Sequence, residues 1–301
     1  MYYNIHRGPL ARGCEMCLVG AKAVIFITGL CRYRCFYCPV DRERFGRDVI
    51  YVNDVKVSSV EDIVREVARS GAAGAAITGG DPLEVPERVR QVSAALKDAF
   101  GRGFHIHLYT RPTSLNKISV NALINSGVDE VRLHLISYGE VEKKLPYIAA
   151  LKYAGISVGV EVPAVPGLEA KMAEAINALA GLIDFVNINE LDVSESNIEA
   201  LKALGYKIGD GFVPSSLEAA KRLMGMITEG IPVHICRSKS KDLFQIGARV
   251  FREALATASP SEYVEDDGSI AYTEEGVHPR SRSARNIKIK IHLGGRYLEV
   301  E

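Results

Sequence analysis

The sequence predicts an α/β protein: a partial (β/α)6 barrel followed by a small C-terminal β appendage. Short apolar runs of strand length alternate with amphipathic segments of helical length along most of the 301 residues. The runs are almost continuously apolar, which is typical of parallel strands buried on both faces. About six such units in a row indicate a barrel with right-handed crossovers. Its ligand site is expected at the carboxyl ends of the strands.

The individual elements follow from these patterns. Two segments are typical helix starts, Ser58–Asp62 and Ser215–Glu218, because a serine oxygen can accept from the free N–H groups of the first turn. Glycines mark expected helix ends at Gly71, Gly127, Gly155 and Gly205. A last helix is predicted over Lys239–Ser259. The predicted strands are Ala23–Thr28, Ala73–Thr78, Gly103–Thr110, Val128–Ile136, Ile156–Val162, Ile183–Leu191 and Ile231–Cys236.

These elements divide the chain into an N-terminal metal-binding extension (1–22), the barrel (23–260) and the appendage (261–301). Net charge is zero, with 37 basic and 37 acidic residues, and gives no general attraction to nucleic acid or anionic membrane. Within the appendage an acidic stretch, 262–275, precedes a basic one, 280–296, and we expect the two to pair with each other.

Cellular context follows from what the sequence lacks. No apolar run reaches the roughly 18 residues of a membrane span, and the N-terminus has no apolar signal-peptide core. We therefore expect a cytoplasmic protein without a membrane partner. In that compartment the six cysteines stay reduced, which favours metal binding or catalysis over disulfides.

Three cysteines follow the first predicted strand in the segment GLCRYRCFYCP. Cys31, Cys35 and Cys38 have spacings of x3 and x2, and their thiolates are the ligands that iron–sulfur clusters take. Three thiolates leave one iron of a four-iron cluster open. Arg32 and Arg34 are expected to offset the negative charge of the assembly. The competing interpretations are a zinc site, which usually brings paired C-x2-C knuckles, and cysteines that merely pack in a core.

CxxxCxxC after the first strand of a βα barrel resembles the radical S-adenosylmethionine (SAM) superfamily. Within it, the chain is similar to archaeal-type proteins related to pyruvate formate-lyase activating enzyme, over roughly Ala23 to Cys236. The resemblance implies a [4Fe–4S] cluster whose open iron binds SAM. It also implies one-electron cleavage of SAM to a 5′-deoxyadenosyl radical, and it places Tyr37 against the adenine.

A second motif, Gly79-Gly80-Asp81, ends the second strand. On its own it is an ordinary turn. Glycines also let backbone approach a ligand closely, and the segment resembles the family's "GGE" motif, which binds the methionine amino group of SAM. This chain has Asp81 where the family has glutamate.

Polar residues at other strand ends complete the predicted rim. Thr110 and His134 occupy positions where relatives contact SAM or substrate. Asn189 closes an apolar strand and either lines the mouth or makes local hydrogen bonds. The segment ending in Glu161 loosely resembles a third family motif, with a spacing one residue short.

Three further cysteines remain: Cys14 and Cys17 in a C-x2-C before the barrel, and Cys236 at the end of the last strand. They could hold a second iron–sulfur cluster with an open iron. With His234 they could instead make a closed zinc site. The third alternative is that they hold no metal.

The leading functional hypothesis is therefore a radical SAM enzyme, with a reductant such as ferredoxin or flavodoxin. A small metabolite or cofactor precursor is the favoured substrate. The alternatives are activation of a glycyl-radical enzyme, which has a protein substrate, and RNA modification. A hypothesis of another class is a non-catalytic iron–sulfur electron carrier, which would need four cysteines around its cluster.

Overall fold

The computed structural model describes residues 5–300, and for Leu243 and Val300 the backbone alone. Its centre is a row of seven parallel strands joined by six crossovers. These strands correspond to the seven predicted apolar runs, so the α/β partial barrel is confirmed. They are β2 (Lys22–Phe26), β5 (Gly74–Thr78), β6 (His105–Thr110), β7 (Glu130–Leu133), β8 (Ser157–Pro163), β9 (Phe185–Asn189) and β10 (Val233–Cys236).

Antiparallel strands extend both edges of this sheet. A hairpin of β3 (Ile50–Val52) and β4 (Val55–Val57) pairs with β2. At the opposite edge β1 (Ile5–Arg7) pairs with β10. The sheet order is β1-β10-β9-β8-β7-β6-β5-β2-β3-β4. Neither the hairpin nor β1 was predicted from the sequence.

Helices cover the outer face of the sheet. The predicted start at Ser59 is confirmed, since its side chain accepts from the N–H of Asp62, whereas Ser215 makes no side-chain cap. The four predicted terminal glycines all have positive φ. The helices are α1 (Arg12–Leu18), α2 (Val60–Arg69), α3 (Pro86–Phe100), α4 (Lys117–Ile124), α5 (Leu145–Tyr153), α6 (Glu169–Asn177), α7 (Ile198–Ala203), α8 (Ser216–Met226), α9 (Ser238–Ser240), the π-helical Lys241–Ile246 and α10 (Gly247–Thr257).

Side-chain alternation along the strands separates two interiors. Residues such as Ile77, Leu108 and Val131 face the helices and are fully buried in the main apolar core. Each such side chain contributes about 1.5–3 kcal/mol to stability. The opposite face of the strands carries polar side chains, including His107 and Arg132, both buried. Polar and charged side chains, rather than apolar ones, therefore line the concave side of the sheet.

Helix α1 packs against this polar face. The N–H of Gly13 donates to the Glu130 carboxylate at 3.2 Å. A side chain at Gly13 would overlap Arg132, His107 and Glu130, so the close approach requires glycine. Much of the predicted N-terminal extension thus lies against the barrel; residues 1–4 lie outside the described part of the chain.

A four-stranded antiparallel sheet forms the C-terminal appendage. Its acidic and basic stretches pair as expected, for example Lys290 with Glu262 at 2.6 Å. On β13 the alternation is clear, but Ile289 and Ile291 face solvent. The strands are β11 (Tyr263–Val264), β12 (Ile270–Tyr272), β13 (Lys288–Leu293) and β14 (Arg296–Val300). Across residues 5–300, no helix combines the length and the apolar character that a membrane span requires.

Candidate active site

A cavity of about 290 Å³ opens at the carboxyl ends of the parallel strands. The cysteine loop, the glycine turn after β5 and polar residues from β6 to β9 all line it. Ten residues were predicted from the sequence for one site, and the structure brings all ten to this cavity. They are Cys31, Cys35, Cys38, Tyr37, Gly79, Gly80, Asp81, Thr110, His134 and Asn189.

The cysteine loop is fixed by backbone contacts from both sides. Gly29 donates to the carbonyl of Arg47 at 2.8 Å. From the segment after β9, Asn197 donates to the carbonyl of Tyr37 at 3.1 Å and Ser196 to that of Cys38 at 3.3 Å. The three thiols stay half-buried at the cavity wall. Anchored carbonyls and free thiols are the arrangement that a cluster-binding loop needs.

Three cysteine thiols at one cavity are a ligand set that a four-iron cluster can take. Burial raises the pKa of Cys31 and of Cys38. Among residues 5–300, no three His, Cys, Asp or Glu side chains are gathered closely enough to hold a single metal ion. Thiolates around a four-iron cluster bind different iron atoms and therefore stand farther apart than the ligands of one ion.

The positive charge beside the cysteines comes from an unpredicted residue. Arg111 donates to Sγ of Cys35 at 3.3 Å and lies over the ring of Tyr33. The expectation for Arg32 was wrong: its side chain is 80% exposed and pairs with Glu84 at 2.8 Å. Arg34 is exposed beside Cys35 and Cys38. The cysteine loop directs Arg32 toward solvent. The positive charge beside Cys35 comes instead from Arg111, the residue that follows β6.

The glycine turn packs directly against the cysteine loop. Gly80 donates to the carbonyl of Thr28, and Asp81 donates to that of Leu30, each at 2.8 Å. A Cβ at Gly80 would overlap the carbonyl oxygen of Leu30, and one at Gly79 that of Thr28. The two glycines are therefore required by loop–loop contact as well as by any approach to a ligand.

Asp81 is buried and already holds several donors. Its carboxylate accepts from Thr110 at 2.7 Å, from Ser114 at 2.5 Å and from the N–H of Leu83 at 3.1 Å. A carboxylate offers about four lone-pair sites, so about one remains for a ligand. Thr110 thus acts on the site by orienting Asp81.

His134 and Tyr37 form a pair at the same cavity. Nδ1 of His134 lies 3.3 Å from the carbonyl of Glu161, so it carries the proton, and Nε2 accepts from the Tyr37 hydroxyl at 3.0 Å. Burial lowers the pKa of His134 to about 4. The imidazole is neutral at physiological pH and holds the tyrosine ring at the cavity.

A charged network lies beneath this cavity. Arg132 donates to Glu130 at 2.6 Å and pairs with Glu161. Asn189 donates to the same Glu161 carboxylate at 2.8 Å. Burial opposes ionisation of Glu161, but Arg132 and the amide donors hold its pKa below the ordinary value. The predicted rim residue Asn189 therefore makes the local hydrogen bond while lining the cavity.

A second cavity, of about 140 Å³, adjoins the first. Cys14 and Cys17 reach it from α1, and His234 and Cys236 reach it from β10. The structure therefore brings the three remaining cysteines to one space. The two cavities share four wall residues, Tyr109, Glu161, Asn189 and Lys241.

The lining of the second cavity is buried and polar. Burial raises the pKa of Cys14 to about 12 and that of Cys236 to about 11. Gln245 donates to Sγ of Cys236 at 3.3 Å. His234 is 5% exposed, and neither ring nitrogen has a hydrogen-bond partner within the described residues. Sequence reasoning missed Gln245 and Lys241, which follow the last strand without any motif.

Comparison with known protein families gives two kinds of match. A family model described as Radical SAM superfamily matches residues 25–147. The chain is 34% identical over 278 residues to a Methanocaldococcus jannaschii protein named "Putative glycyl-radical enzyme activating enzyme", covering 89% of this chain and 74% of that one. It is also 26% identical over 132 residues to the "Probable GTP 3',8-cyclase" of Thermococcus kodakarensis, covering 42% and 39%.

Solved structures share the fold. The Streptococcus suis protein SuiB in its SAM-bound structure superposes with a TM-score of 0.51 at 14% identity. The match covers 72% of this chain and 50% of SuiB. A second SuiB crystal structure superposes with the same TM-score at 12% identity, and the match covers 72% of this chain and 49% of SuiB. The chain thus spans about half the length of these structural relatives.

Proposed function

Because the chain belongs to the radical SAM superfamily, whose enzymes use SAM and a [4Fe–4S] cluster, we propose that Cys31, Cys35 and Cys38 hold that cluster and that the adjoining cavity binds SAM. The observation that carries the proposal is the meeting of the cysteine loop and the Gly79–Asp81 turn at one cavity. When bound, the cluster supplies the electron that cleaves SAM to a 5′-deoxyadenosyl radical.

In this proposal, residues of the chain bind SAM, hold it in position and offset negative charge at the cluster. Asp81 has about one acceptor position left for the methionine ammonium, and its carboxylate is held by Thr110 and Ser114. Tyr37, kept in place by neutral His134, offers its ring to the adenine. Arg111 donates to Cys35 and offsets negative charge at the cluster.

The test is anaerobic reconstitution followed by incubation with SAM and dithionite. The wild type should make 5′-deoxyadenosine, and Cys31→Ala, Cys35→Ala and Cys38→Ala should each make none, because three thiolates are needed. Arg32→Gln is the matched control on the same loop, since that side chain faces solvent. Wild-type rates in a folded Cys35→Ala protein would overturn the assignment, and failure of the wild type would favour a non-catalytic carrier.

For the substrate, the 34% identical relative favours activation of a glycyl-radical enzyme over the small metabolite preferred on sequence grounds. We propose a protein glycine as the hydrogen donor and a ferredoxin or flavodoxin as the reductant. RNA is less favoured because three of the six basic side chains in 280–296 already pair with carboxylates: Lys288 with Glu274, Lys290 with Glu262 and Arg296 with Glu66.

Isotope transfer distinguishes the substrate classes. Extract from cells grown on Cα-deuterated glycine is separated by dialysis into macromolecules and small molecules. Each fraction is incubated with the enzyme, SAM and dithionite, and 5′-deoxyadenosine is analysed by mass spectrometry. Deuterium from the macromolecular fraction, removed by prior proteolysis but not by ribonuclease, supports a protein glycine. Deuterium from the dialysable fraction alone would overturn it.

A further inference from the structure

The second cavity concentrates metal-binding side chains that the SAM site does not use. Cys14 and Cys17 lie one helical turn apart on α1, so both point to the same side. His234 and Cys236 alternate along β10 and share a face of the strand. Contacts between Gly13 and the barrel interior hold α1 in place opposite β10. Two unrelated elements thus deliver three thiols and an imidazole to one space.

An unpartnered histidine points to a ligand in this space. Both ring nitrogens of His234 lack partners among the described residues, although the side chain is 5% exposed. Buried polar groups without partners are costly and rare. Oδ1 of Asn187, paired in register with His234, also lacks a partner. Two such groups side by side call for a partner bound between them, either ordered water or a ligand.

Size and charge favour a cluster over one ion. About 140 Å³ is roughly ten times the space one water requires, which exceeds the need of a zinc ion held directly by its ligands. Arg132, Lys241 and Gln245 also line the cavity and can offset or donate to thiolate sulfur.

We propose that Cys14, Cys17, Cys236 and His234 ligate a second iron–sulfur cluster, separated from the SAM cavity by a wall of single side chains. Four protein ligands close this cluster, so it cannot bind SAM or substrate through an open iron. The wall between the two cavities consists of side chains that line both of them, namely Tyr109, Glu161, Asn189 and Lys241. The proposal concerns a site distinct from Cys31–Cys38 and stands whether or not the chain cleaves SAM.

The first test counts metal in anaerobically reconstituted protein. The wild type should carry about eight irons per chain if both clusters have four. A variant with Ala at 31, 35 and 38 should retain about four irons, and Cys14→Ser/Cys236→Ser should lose about half of the wild-type iron. Zinc in the first variant, or no metal in it, would overturn the proposal. Because that variant leaves the second cavity intact, its result does not depend on whether the double mutant folds.

The second test concerns His234 and uses the same three-alanine background. With 15N-labelled histidine, pulsed EPR of the reduced protein should show nitrogen coupling to the cluster. His234→Cys should retain the iron, lose the coupling and lower the reduction potential, as expected when thiolate replaces imidazole. His107→Gln is the control, because its imidazole is also buried but lies outside the cavity lining. Coupling that survives His234→Cys would refute the ligand assignment.

Discussion

The hydroxyl of Tyr37 and Nε2 of His134 lie 3.0 Å apart, which ties the cysteine loop to the residue that follows β7. The ring of Tyr37 and its hydroxyl therefore have separable roles. The ring faces the cavity, whereas the hydroxyl holds the loop against the barrel.

Tyr37→Phe should leave SAM affinity nearly unchanged, because the ring remains. It should lower the free energy of unfolding by about 1 kcal/mol through loss of one hydrogen bond. Tyr37→Ala should weaken SAM binding at least about fivefold, since stacking on a base contributes about 1–3 kcal/mol. Equilibrium binding of SAM and urea unfolding measure the two effects. Equal SAM affinities for the Phe and Ala variants would contradict the adenine contact.

Gly80→Ala should reduce iron incorporation at Cys31–Cys38 as well as SAM binding. The added methyl group would meet the carbonyl of Leu30, next to Cys31, so the cysteine loop must shift. Gly103→Ala is the control, because its methyl group would enter open space. Iron and SAM affinity are measured on the same samples. Full iron content with weakened SAM binding would show instead that Gly80 contacts the ligand alone.

Arg111→Met should lower the reduction potential of the SAM-site cluster while keeping its iron. The change removes a donor to Cys35 and the positive charge that balances the partly buried Glu140, and both stabilise the more negative reduced cluster. Arg32→Gln should leave the potential unchanged because its charge faces solvent. Redox titration followed by EPR makes the comparison. Equal shifts in the two variants would remove the special role of Arg111.

Stability should fall as the pH drops from about 6.5 to about 4. His134 stays neutral in the folded protein until its lowered pKa of about 4, whereas the unfolded chain takes up the proton near 6.5. Over this window the unfolded state binds more protons, so acid favours unfolding; above it the contribution is constant. The shift corresponds to up to about 3 kcal/mol. His134→Gln should make urea-unfolding stability depend less steeply on pH without removing the dependence, because burial also lowers the pKa of His105, His107 and His234. An unchanged slope would contradict the contribution of His134.

Arg132→Met should destabilise the protein by about 3–5 kcal/mol. The side chain is almost fully buried between Glu130 and Glu161, and its removal strands two carboxylates without a counter-charge. Arg65→Met, which breaks an exposed pair with Asp62, should have little effect because water screens that pair. Thermal unfolding of the metal-free proteins compares them. Similar losses in the two variants would mean that the interior network is solvated.

The fold was largely predictable because one face of every parallel strand packs in the apolar core, so the strands appear as predominantly apolar runs. Glycines such as Gly127 then mark helix ends through their positive φ. The β3–β4 hairpin was missed, although Asn53 and Asp54 form its turn and Asn53 has positive φ. Helix α1 was missed because it is seven residues long and has no side-chain cap.

The site was predictable where residues end parallel strands, since those ends must converge on one rim. Thr110, His134 and Asn189 were found in this way. The charge-offsetting role expected of Arg32 was wrong because spacing within an irregular loop does not determine which side chains turn outward. Arg111 and Lys241 were missed for the complementary reason: they carry no motif, and only the packing of neighbouring segments brings them to the cavities.

The charged interior also constrains how the strands can align. Arg132 lies between carboxylates on the concave face of β7, while Val131 and Leu133 face the helices. A slip of one residue along β7 would exchange these faces and leave a guanidinium among apolar side chains. Such misaligned sheets are penalised far more heavily than they would be with an all-apolar interior. The charged network thus favours the native strand register over registers shifted by one residue during folding.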